Sequence, residues 1–394
     1  MQVKPAEETL VSPGAIMKYG GLGTLLISGA FIPAVLVPGY MQGLNTVLLL
    51  ALFGLIGRTF LAAGASFKEQ ETPTMETDEP GVSLIIPAYN EEPVLPGTID
   101  ALTAVDYPKD RLQVILCYEE DSSDRTGEIC EKAAAEHDFI EAVRRDEHGG
   151  GKAKATNYAL EYAEHDIIAG ADADHRFKED AIRKAVRWFQ EDDDIWCVKG
   201  RCYGSNPGDS IIALHATVER HIAEKIDIYS REVLDGFTYY GGGQFFFRRA
   251  VIDQIGELDE DILVEDIDMS AKIHRYGKEI KIDPSVITYE ENPSTLRSWW
   301  AQRKRWSRGW MQVAKRHFTG IMQSDMSLQK KVDAGYSLIF AVLSAFMVLM
   351  LPLFVLSISG FGVATFVPYS NHLWKIAGLS PALFASAVFY QDYR

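Results

Sequence analysis

Three long apolar runs limit what this 394-residue chain can fold into. Residues 21–39 carry no charge, residues 44–65 carry only Arg58, and residues 337–359 are again uncharged. Each run is long enough, as a helix, to cross about 30 Å of hydrocarbon. A fourth run, 376–390, is shorter and fits a span, a re-entrant piece or the start of a span. The sequence therefore predicts a two-helix membrane hairpin over residues 1–65 and one or two membrane helices over residues 336–394.

The few charges around the hairpin agree on one orientation. The loop 40–43 is uncharged, whereas Lys4, Lys18 and Lys68 flank the other ends. Positive residues are enriched in cytoplasmic loops, so we expect residues 66 to about 335 to face the cytoplasm. No cleavage site for a signal peptide stands out after the first run. We expect a multi-pass protein of the cell (plasma) membrane.

Between its apolar ends the chain alternates strand-like and helical segments. Residues 66–80 are acidic, lack periodicity and indicate a linker. Strands are predicted at 82–86, 112–118, 139–144 and 166–171, separated by helices at 98–105, 124–137 and 152–163, with Asp124 as an N-cap. This order predicts an α/β domain over residues 81–293. Its sheet should be mostly parallel, with helices on both faces and ligands at the carboxyl ends of the strands.

The distribution of charge limits the kinds of partner that the chain can bind, and the spacing of its cysteines indicates the compartment. The net charge is −16, yet residues 297–331 hold nine Lys or Arg and one acid, Asp325. A basic strip beside an apolar run suits anionic lipid headgroups, so residues 294–335 are expected to form amphipathic helices at the bilayer surface. The acidic remainder argues against a nucleic-acid partner. The four cysteines lack C-x-x-C spacing, which indicates buried thiols in a reducing compartment.

Two groups of acidic residues follow predicted strands. Asp172 and Asp174 come directly after the fourth strand, where two carboxylates can hold Mg²⁺ or Mn²⁺ with positions left for a diphosphate. The alternative is a solvated acidic turn. Residues 119–124 close the second strand, and Glu120 there could hold a base or ribose by hydrogen bonds. Part of that cluster also fits a helix N-terminus, where acids complement the macrodipole.

Two glycine runs suggest close approach of a ligand to the backbone. Gly149–Gly151 precede Lys152, a combination that suits phosphate but lacks the Ser or Thr of a P-loop, so a flexible loop is the alternative. Residues 241–243 precede an aromatic strand, 245–247, that fits a core strand. Gly243 and Gln244 are the better candidates for binding there.

The last candidates lie on two predicted helices. Asp266, in a first helical turn, is the natural base for removing a proton from a hydroxyl. Among residues 302–306, Arg305 could clamp a diphosphate with its guanidinium, and Trp306 could stack on a sugar ring. The alternative is an interfacial helix with an aromatic belt and cations that reach toward the headgroups.

The ordered set resembles the inverting, nucleotide-sugar-dependent family 2 glycosyltransferases. Within them it is similar to the membrane-integrated branch of cellulose, chitin and hyaluronan synthases. The likeness runs from Val82 to about Trp310. It rests on residues 85–91 (IIPAYNE), 151–157 (GKAKATN), 172–175 (DADH) and the Gln-x-x-Arg-Trp of residues 302–306.

The resemblance implies a GT-A-like fold and a role for each matching residue. The nucleobase would be contacted by Ala88, Tyr89, Glu91 and Glu120, and Lys152 would lie near the base or phosphate. Asp172 would contact the nucleotide, Asp174 the metal and His175 the diphosphate. Asp266 would be the general base, and Gln302, Arg305 and Trp306 would cap the diphosphate and the acceptor channel.

The chain departs from that pattern at two motifs. Glu119 and Glu120 stand where the family usually has Asp-Asp, and Val264 stands where it usually has Thr. Neither change removes a needed carboxylate. The apolar runs are also fewer than in polymerising members, which leaves processivity open.

We therefore expect an enzyme that uses a UDP-sugar or a GDP-sugar with Mg²⁺ or Mn²⁺. Its acceptor would be a growing polysaccharide or a lipid such as a polyprenyl phosphate or glycolipid, and a partner subunit is left open. The rival hypothesis is a non-catalytic subunit that senses nucleotide-sugar. Intact Asp172, Asp174 and Asp266 argue against that rival.

Overall fold

The computed structural model describes residues 33, 36–74, 79–147, 149–339 and 365–370, with scattered positions between 372 and 390. Most of each predicted membrane run at 21–39, 337–359 and 376–390 lies outside the described residues. The chain divides into two units. One comprises Met1–Arg58 with Val348–Pro381, and the other comprises Thr59–Met347 with Ala382–Arg394.

Helix α1 covers Tyr40–Ala65. Among the described residues it is the one helix long and apolar enough to cross a membrane. Several of its apolar side chains are exposed, including Val47 at 64% and Leu50 at 60%. Exposed apolar residues on a helix of this length fit a lipid-facing surface.

The second unit contains an eight-stranded sheet. Its strands are β1 (Val82–Ala88), β2 (Leu112–Glu119), β3 (Ile140–Arg145), β4 (Ile167–Ala171), β5 (Arg176–Phe177), β6 (Ile195–Gly204), β7 (Gln244–Arg248) and β8 (Glu279–Glu290). The order across the sheet is β3-β2-β1-β4-β7-β6-β8-β5. The four predicted strands are present and parallel. The other half of the sheet is mixed, because β7 runs antiparallel to both β4 and β6.

Helices pack on both faces of this sheet, as predicted. They are α2 (Leu95–Ala104), α3 (Thr126–Glu136), α4 (Gly151–Leu160), α5 (Ala181–Glu191), α6 (Ile211–Ile222), α7 (Tyr229–Val233), α8 (Ala250–Ile255), α9 (Glu265–Arg275) and α10 (Leu296–Gln323). One core places Leu84 and Ile86 against α2, α3 and α5. A second places Ile85 and Ile168 against α4 on the opposite face.

The aromatic strand β7 belongs to both layers of the core. Phe246 packs into the core beneath α5, whereas Phe245 and Phe247 stack on each other at 4.2 Å on the other side. Alternate side chains of a strand point to opposite faces, so one strand serves both layers. The prediction of a core strand at residues 245–247 is confirmed, and so are four buried free cysteines.

Three predicted segments differ in detail. The helix after β2 has Arg125 at its N-cap, with Asp124 one position earlier, although Asp124 still accepts a hydrogen bond from the Thr126 N–H. The linker runs against the domain, since the Lys68 carbonyl and Thr72 bond to Tyr229 and Asp283. The region 294–335 begins with one continuous 28-residue helix, α10.

Candidate functional site

A cavity of about 720 Å³, the strand-end cavity, opens where β1, β2 and β4 end. Parallel strands place their carboxyl ends at one edge of a sheet, so this location follows from the topology. Of the predicted site residues, its wall contains Ala88, Tyr89, Glu91, Lys152, Asp172 and Asp174. The wall also contains Glu119 and Asp121 of the acidic cluster 119–124, Gly149 of the first glycine run, and Glu291, which no motif had indicated.

Neighbouring acids at the end of β2 have different surroundings. Glu120 is half-exposed, lies 3.9 Å from Arg144 and does not line the cavity. Glu119 does line it and is nearly buried, and its Oε1 accepts hydrogen bonds from Arg145. The second oxygen, Oε2, has no hydrogen-bond partner among the described residues. A buried acceptor without a partner is costly, so Glu119 is better placed than Glu120 to accept a hydrogen bond from a ligand.

Arg145 also fixes the glycine loop before α4. Its guanidinium donates to the Gly149 carbonyl at 2.5 Å as well as to Glu119. Gly150 then adopts φ +89° at the N-cap of α4. Arg145 therefore ties the end of β2 to the loop that precedes Lys152.

Acidic groups crowd the strand-end cavity. Burial, followed by the charges of Asp174 and Asp172, raises the pKa of Glu91 to about 7. Desolvation and like charges both disfavour ionisation of a carboxyl group. A cation bound among these acids would relieve that repulsion.

The residues present fit a hard divalent cation. Asp172, Asp174 and His175 offer ligand atoms within 4.8 Å of one another. The two carboxylates are partly exposed, whereas the His175 side chain is fully buried. Carboxylate oxygens are the ligands that Mg²⁺ and Mn²⁺ prefer, and a phosphate completes such a site. Asp172 and Asp174 are therefore the two residues that could hold the metal.

His175 lies behind the strand-end cavity instead of on its wall. Its Nδ1 is 3.3 Å from Asp174, and its Nε2 is 3.1 Å from Glu290 and 3.6 Å from the Cys202 thiol. Arg220 in turn pairs with Glu290. The structure thus gives His175 a place in a buried network that contacts Asp174, and His175 lines neither of the two cavities described here.

Gly243 closes this network from the other side. It has φ +74°, and a Cβ there would lie 2.5 Å from Nε2 of His175. The sequence predicted that a ligand approaches the backbone at this glycine, and the structure places the His175 side chain against it, so ligand contact there stays a prediction. The adjacent Gln244 is fully buried and lines neither cavity, so it does not present its amide to a ligand.

A second cavity of about 600 Å³, the helix-lined cavity, adjoins the first. Gly151, Lys152 and Asp172 line both. The Lys152 ammonium lies 2.5 Å from Asp172 Oδ1, so an ion pair forms part of the shared wall. The second cavity brings together predicted residues from distant parts of the chain, namely Gly243, Asp266, Gln302, Arg305 and Trp306.

Asp266 faces this cavity from the first turn of α9. Its Oδ1 accepts a hydrogen bond from the Ile267 N–H, and its other oxygen lies beside Gly242, whose φ is +44°. Burial and the neighbouring Glu265 raise the pKa of Asp266 to about 7. A carboxylate with that pKa can accept a proton near neutral pH.

Helix α10 forms the facing wall. Arg305 donates to the Leu263 carbonyl at 3.2 Å. Arg303, which sequence reasoning missed, pairs with Glu219 at 2.6 Å and stacks on Trp306 with 4.1 Å to the ring centroid. Trp306 therefore has one face covered by a guanidinium. The Gln-x-x-Arg-Trp motif gave no sign that Arg303 pairs with Glu219, because Glu219 lies on α6, far from the motif along the chain.

Comparison with known proteins assigns the fold to a family. A family model described as "Glycosyltransferase like family 2" matches residues 80–309. "Probable glycosyltransferase YdaM" of Bacillus subtilis is 32% identical over 232 residues, which is 58% of this chain and 55% of that protein. "Poly-beta-1,6-N-acetyl-D-glucosamine synthase" of Staphylococcus aureus is 30% identical over 255 residues, 64% of this chain and 60% of that protein. The chain thus spans little more than half the length of these relatives.

Solved structures share the same GT-A-like fold. "Mannosyltransferase PcManGT from Pyrobaculum calidifontis in complex with GDP-Man and Mn2+" superposes with a TM-score of 0.57 at 22% identity, covering 88% of this chain and 98% of that one. S. aureus TarS 1–349 in complex with UDP-GlcNAc gives a TM-score of 0.50 at 17% identity, covering 78% and 89%. At such identity the likeness shows the fold alone.

Proposed function

Since the chain belongs to glycosyltransferase family 2, we propose that it is a membrane-bound inverting enzyme that transfers a sugar from a nucleotide-sugar to an acceptor hydroxyl. The observation that carries the proposal is the pair of adjoining cavities. One has carboxylates suited to a metal and a diphosphate, and the other has a candidate base. They meet at Lys152 and Asp172.

The strand-end cavity would hold the donor. Its volume is within the range of about 300–1,000 Å³ typical of small-molecule sites. Ala88, Tyr89, Glu91 and Glu119 would surround the nucleoside, and Lys152 with Arg305 would contact the diphosphate. A UDP-sugar is the first choice, because the S. aureus relative is named for a polymer of N-acetylglucosamine. A GDP-sugar is the second.

The helix-lined cavity would hold the acceptor, a polysaccharide or a lipid. The acceptor oxygen attacks C1 of the sugar as the bond from C1 to the diphosphate oxygen breaks. The hydroxyl proton passes to Asp266, and the electron pair of the broken bond leaves with the nucleotide. Attack opposite the leaving group inverts C1, so an α-linked donor gives a β-linked product.

Asp172 and Asp174 would hold Mg²⁺ or Mn²⁺. When bound, such a cation neutralises negative charge that develops on the leaving diphosphate. His175, Glu290 and Arg220 keep Asp174 in place from behind. Lys152 and Arg305 supply fixed positive charge toward the same diphosphate, and fixed charge is effective because it needs no reorganisation during the reaction.

The membrane assignment is supported by two features. Helix α1 has the length and apolar surface of a span. Basic residues of α10 that are exposed, including Lys304 and Arg308, would suit anionic headgroups. We propose a multi-pass protein of the cell membrane with its catalytic domain in the cytoplasm.

The test is nucleotide release by the purified full chain in lipid, across UDP- and GDP-sugars with Mn²⁺ or Mg²⁺. Polysaccharide fragments, glycolipids and a polyprenyl phosphate are supplied as acceptors. We expect one donor to give release that a metal chelator abolishes. The proposal fails if no donor gives release above the chelated control while the protein remains folded.

A further inference from the structure

A π-helical segment, Ala223–Ile228, continues directly from α6. A π-helix widens the turn and displaces side chains relative to an α-helix, and such segments are frequent at functional sites. Glu224 and Ile228 from this segment line the helix-lined cavity. No motif in the sequence pointed to either residue.

Glu224 is held by a lysine from the centre of the sheet. The Lys199 ammonium contacts both carboxylate oxygens of Glu224, at 2.9 and 2.8 Å, and donates to the Gly200 carbonyl at 2.8 Å. Lys199 and Glu224 are only 1% and 5% exposed. Replacing a buried ion pair by apolar residues is often neutral or stabilising, so stability alone does not account for this pair. The position of Glu224 on a cavity wall gives a reason for the pair.

Tyr239 and Ile228 line the same cavity as Glu224, and the Arg231 guanidinium lies over the Tyr239 ring, 5.3 Å from its centroid. The Tyr239 hydroxyl donates to Asp227 at 2.9 Å, which orients the ring. A Cβ on Gly241 would lie 3.6 Å from Tyr239 and 4.0 Å from Ile228, so these groups adjoin. An aromatic ring and a carboxylate on one cavity wall offer a sugar ring both an apolar surface and a hydrogen-bond acceptor.

The charge of this cavity disfavours an anionic acceptor. Among the described residues that line it, seven are acids and four are cations. Lys152, Arg220 and Arg303 are each bound to a carboxylate of the same wall, and Lys199 behind the wall is bound to Glu224, which leaves two acids in excess. The remaining cation, Arg305, is assigned above to the leaving diphosphate. A phosphate or uronate group would meet net negative charge here, and like charges brought together cost several kcal/mol.

We propose that Glu224 is an acceptor-binding residue that accepts a hydrogen bond from a hydroxyl of an uncharged sugar ring packed on Tyr239 and Ile228. The inference rests on the proposed function and narrows its acceptor to a sugar without phosphate or carboxylate groups. A second hydroxyl of the same acceptor would face Asp266.

The test compares two double variants of the full chain in lipid. Lys199→Met with Glu224→Leu removes the proposed contact, and Lys281→Met with Glu232→Leu removes a part-buried pair, 2.6 Å apart, that lines neither cavity. The acceptors are neutral oligosaccharides of glucose, mannose and N-acetylglucosamine, an oligosaccharide bearing a uronate, and a polyprenyl phosphate. The readouts are the acceptor KM and the nucleotide affinity.

We expect turnover with a neutral oligosaccharide. The KM for that oligosaccharide should be at least about tenfold higher in the first variant than in the wild type, because a lost hydrogen bond to a charged group has an effect of that size. Nucleotide affinity and the second variant should match the wild type. If the first variant does not fold, Glu224→Gln keeps the side-chain volume and should still raise that KM several-fold.

An unchanged KM, an equal rise in the control variant, or a fall in nucleotide affinity overturns the inference. Turnover with only the polyprenyl phosphate or the uronate sugar overturns it while leaving the transferase intact, and no nucleotide release with any acceptor removes the proposed function itself.

Discussion

The two cavities are built in different ways. Much of the wall of the strand-end cavity follows parallel strands, and acids such as Glu91 and Asp174 outnumber Lys152, the one cation among the described residues of that wall. The helix-lined cavity takes its wall from α6, the π-helical segment, α9 and α10. Its charges are largely paired already, as in Arg220 with Glu290 and Arg303 with Glu219.

This difference indicates that the two cavities have different tasks, one binding the donor with its metal and the other binding the acceptor. This excess of acids, together with a Glu119 Oε2 that has no hydrogen-bond partner among the described residues, forms a site that a metal and a nucleotide would complete. Paired charges form a wall that is rigid before any ligand arrives, and such preorganisation reduces the entropy lost on binding. The following predictions test whether each cavity has the task assigned to it.

The largest effect is expected at the base. Asp266→Asn keeps the shape of the side chain but cannot take a proton, so turnover should fall by about 10²–10⁴-fold. Nucleotide affinity should remain, because the substitution lies in the helix-lined cavity. Steady-state rates and nucleotide titration of the same preparation measure both. Equal loss of binding and turnover would contradict the separation of tasks.

The next largest effect is expected from the ion pairs in the wall of the helix-lined cavity. Arg220→Met leaves Glu290 buried without its guanidinium, and breaking a buried pair costs about 3–5 kcal/mol of folding free energy. Lys278→Met removes a more exposed pair with Asp194 and should cost about 0–1 kcal/mol. Thermal unfolding of the full chain compares the two variants. Equal melting temperatures would show that the buried network does not support the wall.

A smaller effect is expected from pH. Because burial and Glu265 raise the pKa of Asp266 to about 7, Asp266 is protonated below that pH and the proposed base is then inactive. We expect kcat/KM to rise about tenfold per pH unit below the pKa and to level off above it. Nucleotide affinity is measured across the same range as a control. A flat rate profile between pH 5.5 and 8 would assign the proton to another group.

The smallest effect distinguishes two adjacent acids. Glu119→Gln removes the acceptor that faces the strand-end cavity and should raise the donor KM by about tenfold. Glu120→Gln alters a half-exposed side chain beside Arg144 and should change the donor KM by no more than roughly twofold. Kinetics at saturating acceptor separate the two. The reverse order would restore the role that the sequence pattern gave to Glu120.

Much of the strand-end cavity could be predicted from sequence, for a physical reason. Periodicity locates strands, and parallel strands that end together place residues such as Asp172 at one edge. The sequence did not show which of Glu119 and Glu120 faces inward, because β2 continues to Glu119 and successive side chains point to opposite sides. A shift of one residue in a strand end exchanges the two.

The helix-lined cavity was less predictable. Asp266, Arg305 and Trp306 stood out by residue type, but their neighbours Glu219, Glu224 and Glu290 resemble ordinary surface acids in the sequence. Their partners lie far away along the chain, and local propensity carries no information about such pairs. The buried surroundings of His175 were not predictable for the same reason. Its motif suggested a ligand contact, whereas Glu290 and Cys202 enclose it.

The wall shared through Lys152 and Asp172 has a kinetic consequence. A nucleotide-sugar that draws Lys152 toward its diphosphate also changes a surface of the neighbouring cavity. The acceptor therefore meets its finished binding surface only after the donor is in place. We expect a compulsory-order reaction in which the nucleotide-sugar binds first and the spent nucleotide leaves last.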